Sequence, residues 1–286
     1  MTELLLTFAM FVLPVLVVGV AVWRYRLVDR LTTTRLCCRL TAAREALVEH
    51  LGPARAALVI LLAGTAATVA VCWPLGAVAA ALEQPVDLPI FEWTQARFSP
   101  DDLWARTNAV VTKMGDPLEM LAASLIAATV LGLLWWRRGW WVPPVVLAAT
   151  LGIEWYVQML LGAVVDRGHP PTGTGTFPSG GSARVVVVYG VIFYLALRTW
   201  PMINARSRII GWTTVGVLAA MEGYSRLYLL KHWATDVPGG WIFGFLLLLA
   251  IVASASALLS PGTAVRAGSA SHLKHRTTMP TAARPQ

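Results

Sequence analysis

The sequence predicts an all-α, polytopic membrane helical bundle, and three observations carry that prediction. Hydrophobic residues fill 57% of the 286 positions and charged residues only 13%, whereas a soluble domain is about a quarter charged. The apolar residues gather in long blocks, of which 56–82 contains no charged side chain. The basic residues lie between the blocks, where membrane topology uses them. With a mean hydropathy of +0.63, collagen, coiled coil and disorder are excluded as descriptions of the whole chain. The net charge of +8 would suggest nucleic acid for a soluble protein; here it reads as topogenic charge, and no nucleic-acid partner is expected.

The elements follow in order. Residues 1–22 are apolar and precede Arg24, Arg26, Arg30, Arg35, Arg39 and Arg44, the reverse of a secretory signal's order, so they are read as a retained helix. Block 56–82 is long enough at ~1.5 Å per residue to cross a hydrocarbon core of about 30 Å. Segment 83–117 collects Glu83, Asp87, Glu92, Asp101, Asp102 and Asp116 with Pro85, Pro89 and Pro100; it is expected to be an exposed connection, partly interfacial helix. Blocks 120–136 and 140–165 form a helical hairpin about Arg137, Arg138 and Gly139. A polar loop rich in Gly and Pro, 166–181, leads to an apolar run at 185–197. Further spans are expected at 209–224 and 233–259, followed by a basic tail read as disordered.

The chain therefore divides into an N-terminal helix with a basic segment (1–54), a transmembrane domain (55–260) and a tail (261–286). The seven candidate spans put the arginine-rich loops on one side, which the positive-inside rule makes cytoplasmic. The N-terminus, segment 83–117, the polar loop and the turn at 225–236 then lie outside, and the C-terminus lies inside. Trp73, Trp135, Trp136, Trp140, Trp141, Trp200, Trp233 and Trp241 fall near span ends, as expected of interfacial anchors. Cys37, Cys38 and Cys72 give no disulfide framework and are expected reduced.

Two outer segments carry residues with chemistry. Phe177-Pro178-Ser179-Gly180-Gly181-Ser182 opens an apolar helix, where free backbone N–H groups and small side chains can receive a phosphate. The alternative is a plain helix cap. Ser225-Arg226 is followed after five residues by His232 and after three more by Asp236. On a helix, His232 and Asp236 would share a face, so that the carboxylate holds one ring nitrogen and leaves the other free to attack. Arg226 could grip two phosphate oxygens in its planar fork. The alternative is a satisfied interfacial histidine beside a snorkelling arginine.

Together these segments resemble the type 2 phosphatidic acid phosphatase (PAP2) superfamily, whose motifs are Lys-x6-Arg-Pro, Pro-Ser-Gly-His and Ser-Arg-x5-His-x3-Asp. Ser225, Arg226, His232 and Asp236 complete the third, and Pro178, Ser179 and Gly180 match the second. The likeness covers roughly residues 110–258. It implies a six-helix core, to which the first helix is an addition, and a metal-independent, cofactor-free site at the outer membrane boundary. It also implies phosphoryl transfer through a phosphohistidine: His232 attacks, Asp236 orients it, and Arg226 binds the phosphate with Ser179, Gly180, Gly181 and Ser225.

The sequence departs from that pattern twice. Gly181 stands where the family places the histidine that protonates the leaving group, and a lost general acid costs about 10² to 10⁴ in rate. In the first motif Asp166-Arg167-Gly168-His169-Pro170 aligns best, with Gly162 at the usual lysine and His169 at the usual arginine; Arg167 is then a phosphate-binding candidate. His169 could supply the missing proton. Alternatively, a lipid diphosphate needs less protonation on leaving, which favours polyprenyl diphosphate over phosphatidate. For Lys113, Arg184 and Lys231, snorkelling or topology is preferred over phosphate binding. Glu154 and Glu222 are expected to face the bundle interior, paired with loop arginines. The function expected is dephosphorylation of a membrane lipid phosphate or diphosphate at the outer face. The rivals are a catalytically impaired relative that binds or transports a phospholipid, and a phosphotransferase.

Overall fold

The computed structural model describes residues 2–25, 34–173 and 175–260. The basic tail and Arg26 and Arg30 lie outside the described residues. Ten helices of eight residues or more organise the described residues: α1 (Thr2–Tyr25), α2 (Arg35–Leu51), α3 (Pro53–Ala81), α4 (Leu88–Gln95), α5 (Leu103–Val111), α6 (Pro117–Leu134), α7 (Val142–Val165), α8 (Gly180–Thr199), α9 (Ala205–Tyr228) and α10 (Asp236–Leu258).

Local chemistry sets many of these ends. Pro53 and Pro117 open α3 and α6 at positions where a missing N–H costs nothing. Asp166, in the left-handed region at φ 44°, closes α7. The Asn204 side chain accepts from Ser207 N at 2.8 Å and caps α9. Within α8 the run Val185–Tyr189 forms a π-helical turn, a widening that apolar periodicity does not announce.

Among the described residues six helices are long and apolar enough to cross a membrane: α1, α3, α6, α7, α8 and α10. The seventh expected span corresponds to α9, whose 24 residues reach about 36 Å but carry Arg206, Arg208, Glu222 and Arg226. The expected spans shift by a few residues: α8 begins at Gly180, α9 runs four residues longer at each end, and α10 starts at Asp236. The core lies where α8 and α10 meet α7, around Leu161, Val187, Leu195, Phe243 and Leu247. Ser254 Oγ donates to Ala57 O at 2.8 Å and ties α10 to α3. Leu62, Leu125, Val145, Met159 and Phe245 are exposed, as lipid-facing positions of a bundle should be.

The basic stretch after α1 contains α2, which packs against α3. Segment 83–117 differs most from expectation. It is folded into a π-helical turn (Glu83–Asp87), α4, α5 and a 3₁₀ turn (Thr112–Gly115), and Asp87 is fully buried. It is a cap on the bundle, held because α4 and α5 pack beside α9. Two tryptophans also depart from the interfacial belt. Trp135 is buried with Nε1 donating to Thr199 Oγ1 at 2.8 Å, and buried Trp233 donates to Gly168 O at 2.9 Å.

Candidate active site

His232 lies in the turn between α9 and α10, not on a helix as the four-residue spacing suggested. Leu230 turns the chain at φ 57°, and Asp236 begins α10. The pairing expected of a helix face is nevertheless made, because the helix start folds back on the turn: His232 Nδ1 is 3.4 Å from Asp236 Oδ2, which also accepts Trp233 N at 3.2 Å. A carboxylate accepts only, so Nδ1 carries the proton and Nε2 keeps its lone pair. The histidine is buried, and burial lowers its pKa below the ordinary 6.5; Asp236 opposes this, while the charges of Arg226 and Arg184 add to it. The ring is thus neutral at neutral pH.

The polar loop covers this histidine. Gly175 N donates to Lys231 O at 3.2 Å, and a Cβ at Gly175 would overlap the His232 ring, so bare backbone is required there. Asp236 O accepts Ser179 N at 3.1 Å, which joins the starts of α8 and α10. Ser179 Oγ and Ser182 Oγ bond each other at 3.0 Å, and no side chain caps the first turn of α8. Its leading N–H groups therefore have no intrahelical acceptor.

Two guanidiniums flank that helix start. Arg184 Nε donates to Glu154 Oε2 at 3.1 Å and its Nη1 to Gly115 O at 2.6 Å. Arg226 Nε donates to Glu222 Oε1 at 2.6 Å, while its Nη2 donates to Thr112 O at 2.9 Å and Asp116 Oδ1 at 2.6 Å. The third arginine supports Asp236. Arg167 Nη1 donates to Asp236 Oδ1 at 3.1 Å and Thr235 Oγ1 at 2.6 Å, and its Nη2 bonds Asp87. Asp87 also accepts from Thr235 N and Thr235 Oγ1, each at 2.8 Å. A neutral histidine oriented by a carboxylate thus sits beside a helix start and two arginines, an arrangement suited to attack on a bound phosphate.

Residues 170–259 match the PAP2 superfamily. A curated relative, phosphatidylglycerophosphatase B of Bacillus subtilis (strain 168), is 28% identical over 147 residues, covering 49% of this chain and 70% of that protein. The crystal structure of a transmembrane PAP2-type phosphatidylglycerolphosphate phosphatase from Bacillus subtilis superposes with a TM-score of 0.54 at 23% identity. It covers 64% of this chain and 94% of that one, a likeness of fold.

Within the matched segment the departure at position 181 has a physical counterpart. A Cβ on Gly181 would lie 2.6 Å from Arg226 Nε and Nη2. The guanidinium fills the space above the helix turn where a histidine side chain would start, so glycine and arginine fit each other. The other candidates are placed as follows. Ser225 is buried with its hydroxyl donating to Glu222 O at 2.7 Å. His169 is exposed, its Nδ1 3.1 Å from Pro170 O, and no bond among the described residues ties it to His232 or Arg226. Lys113 is exposed. Lys231, next to His232, has its pKa lowered by burial first and by Arg226.

Arg184 corrects the expectation of snorkelling: it is buried in an ion pair with Glu154. Glu154 and Glu222 do face the interior, at 1% and 0% exposure, but their partners are arginines of α8 and α9 and not loop arginines. Sequence reasoning missed Asp87, Asp116 and Thr235 as parts of this site. Asp116-Pro117 was readable as a helix start; its reach to Arg226 was not. Among the described residues no group of three or more His, Cys, Asp or Glu side chains is placed to hold a metal.

Proposed function

We propose that this chain removes phosphate from a membrane lipid phosphate or diphosphate through a phosphohistidine on His232. The observation that carries the reading is the buried, neutral His232 held by Asp236 beside the open first turn of α8 and two guanidiniums. Nε2 would attack phosphorus as the bond to the departing oxygen breaks. Arg226, Arg184 and the N–H groups of Gly180 and Gly181 would take up the charge on the equatorial oxygens. Asp236 would stabilise the imidazolium character that develops, and water would then cleave the P–N bond.

The relatives are named for a lipid phosphate, which supports that substrate class. With Gly181 in place of an acid, a leaving group that departs without a full proton is favoured, so a polyprenyl diphosphate is preferred; His169 is the candidate donor for poorer leaving groups. The site would face the extracytoplasmic side, because Arg137, Arg198, Arg206 and Arg208 mark the opposite ends of the helices.

The test is phosphate release by the purified protein in detergent from a polyprenyl diphosphate, a polyprenyl monophosphate, phosphatidate and phosphatidylglycerophosphate. Release is expected to be fastest from the diphosphate and to fall by about 10⁴-fold or more in His232→Ala. Release that survives this substitution would refute the phosphohistidine. No release from any substrate, with lipid phosphate still retained through Arg226, would favour the binding reading, for which the closed Arg226–Asp116–Glu222 cluster is the supporting observation.

A further inference from the structure

A second feature lies at the far end of α9. Helices α1 and α9 touch closely at Gly19, where a Cβ would overlap Thr213, and at Gly216 against Val15. Alongside that contact runs a groove of about 460 Å³ lined by Leu16, Val20, Trp23, Ile210 and Val217 together with Arg206. The Arg206 guanidinium lies 5.3 Å over the Trp23 ring. Arg206 and Arg226 sit on the same helix, and a rise of ~1.5 Å per residue separates them by about 30 Å, the thickness of a hydrocarbon core.

We propose that this groove binds an anionic phospholipid of the leaflet opposite the active site, with an acyl chain along α1 and α9 and its headgroup phosphate on Arg206. Charge complementarity argues for that occupant. The groove's lining contains no carboxylate, and Arg206 makes no ion pair among the described residues, in contrast to the compensated Arg167, Arg184 and Arg226. Its volume is that of a ligand site. The walls are apolar; the hydroxyl of Thr214 is turned back onto Ile210 O at 2.9 Å. Trp23 fixes the cation at headgroup level, and basic pockets between spanning helices are where anionic headgroups bind. A zwitterionic lipid would bring an amine to the same guanidinium and lose the advantage. Distance alone excludes this lipid as the one under attack by His232.

The experiment is native mass spectrometry of the full chain released from detergent micelles containing phosphatidylglycerol or phosphatidylcholine of identical chains. The wild type is expected to retain phosphatidylglycerol in preference. Arg206→Gln should weaken retention about tenfold, the loss of one charge-assisted contact. Val20→Trp, which fills the groove and keeps the arginine, should weaken it as well. Equal retention of the two lipids, or phosphatidylglycerol retention unchanged in either variant, would overturn the proposal. So would retention abolished by Arg226→Gln and untouched by Arg206→Gln, which would move the lipid to the active site.

Discussion

His232 is neutral because burial opposes its protonation and only Asp236 opposes burial. The acid limb of the kcat/KM profile is therefore expected below pH 6.5, since a nucleophile must be unprotonated and its pKa is lowered. Asp236→Asn removes the group that raises that pKa, so the limb should move further to acid while the plateau falls about 10²- to 10⁴-fold. A limb that moves toward alkaline pH would contradict this electrostatic account. Gly181 bears on a different question. Restoring the family's histidine by Gly181→His would place its Cβ against Arg226. We expect phosphate release to fall about 10- to 10³-fold, through displacement of a phosphate ligand. A rate equal to the parent's would mean that the guanidinium can step aside without loss.

At the level of elements, the cap formed by Glu83–Asp87, α4 and α5 holds the turn that carries His232. Asp87 binds both Thr235 and Arg167, and Arg167 in turn holds Asp236. Asp87→Ala and Asp87→Asn both remove the charge paired with Arg167, a loss of about 3–5 kcal/mol for a buried ion pair, but the single amide oxygen of Asn can still accept from Thr235 N, so Asp87→Ala should lower the thermal midpoint in detergent further than Asp87→Asn. Midpoints for both variants equal to the parent's would show that the cap does not depend on this pair. The same cap explains what could be read in the sequence. Arg226, His232 and Asp236 lie within one short stretch whose spacing alone brings them near one another, and α8 and α9 run out and back so that Arg226 returns to the level of Ser179 and Gly180. Asp87 and Asp116 arrive from a distant segment along a path that only tertiary packing defines. Arg184 was misread because α8 is apolar around most of its circumference, which hides the side that meets Glu154.

Over the whole molecule, apolar block lengths were enough to locate six crossing helices, because a hydrocarbon core sets one length for all of them. The polar α9 is different: Glu222 and Arg226 are tolerated because they pair with each other and with Asp116, and α1 shields the helix with Phe8 and Phe11 against Tyr224. No property of α1 taken alone announces that it will cover α9. The additional helix thus belongs to the bundle at both ends, through Arg97–Glu3 beside the cap and through the groove beneath.

The pairing of Glu154 with Arg184 also bears on the order in which the chain enters the bilayer. Glu154 lies near the middle of α7, and an isolated charge at such a position costs about 3 kcal/mol. Its partner is made later, on α8. During synthesis α7 must either carry a protonated carboxyl until α8 arrives or commit to the membrane together with α8, as a neutral hairpin joined by the loop that covers His232.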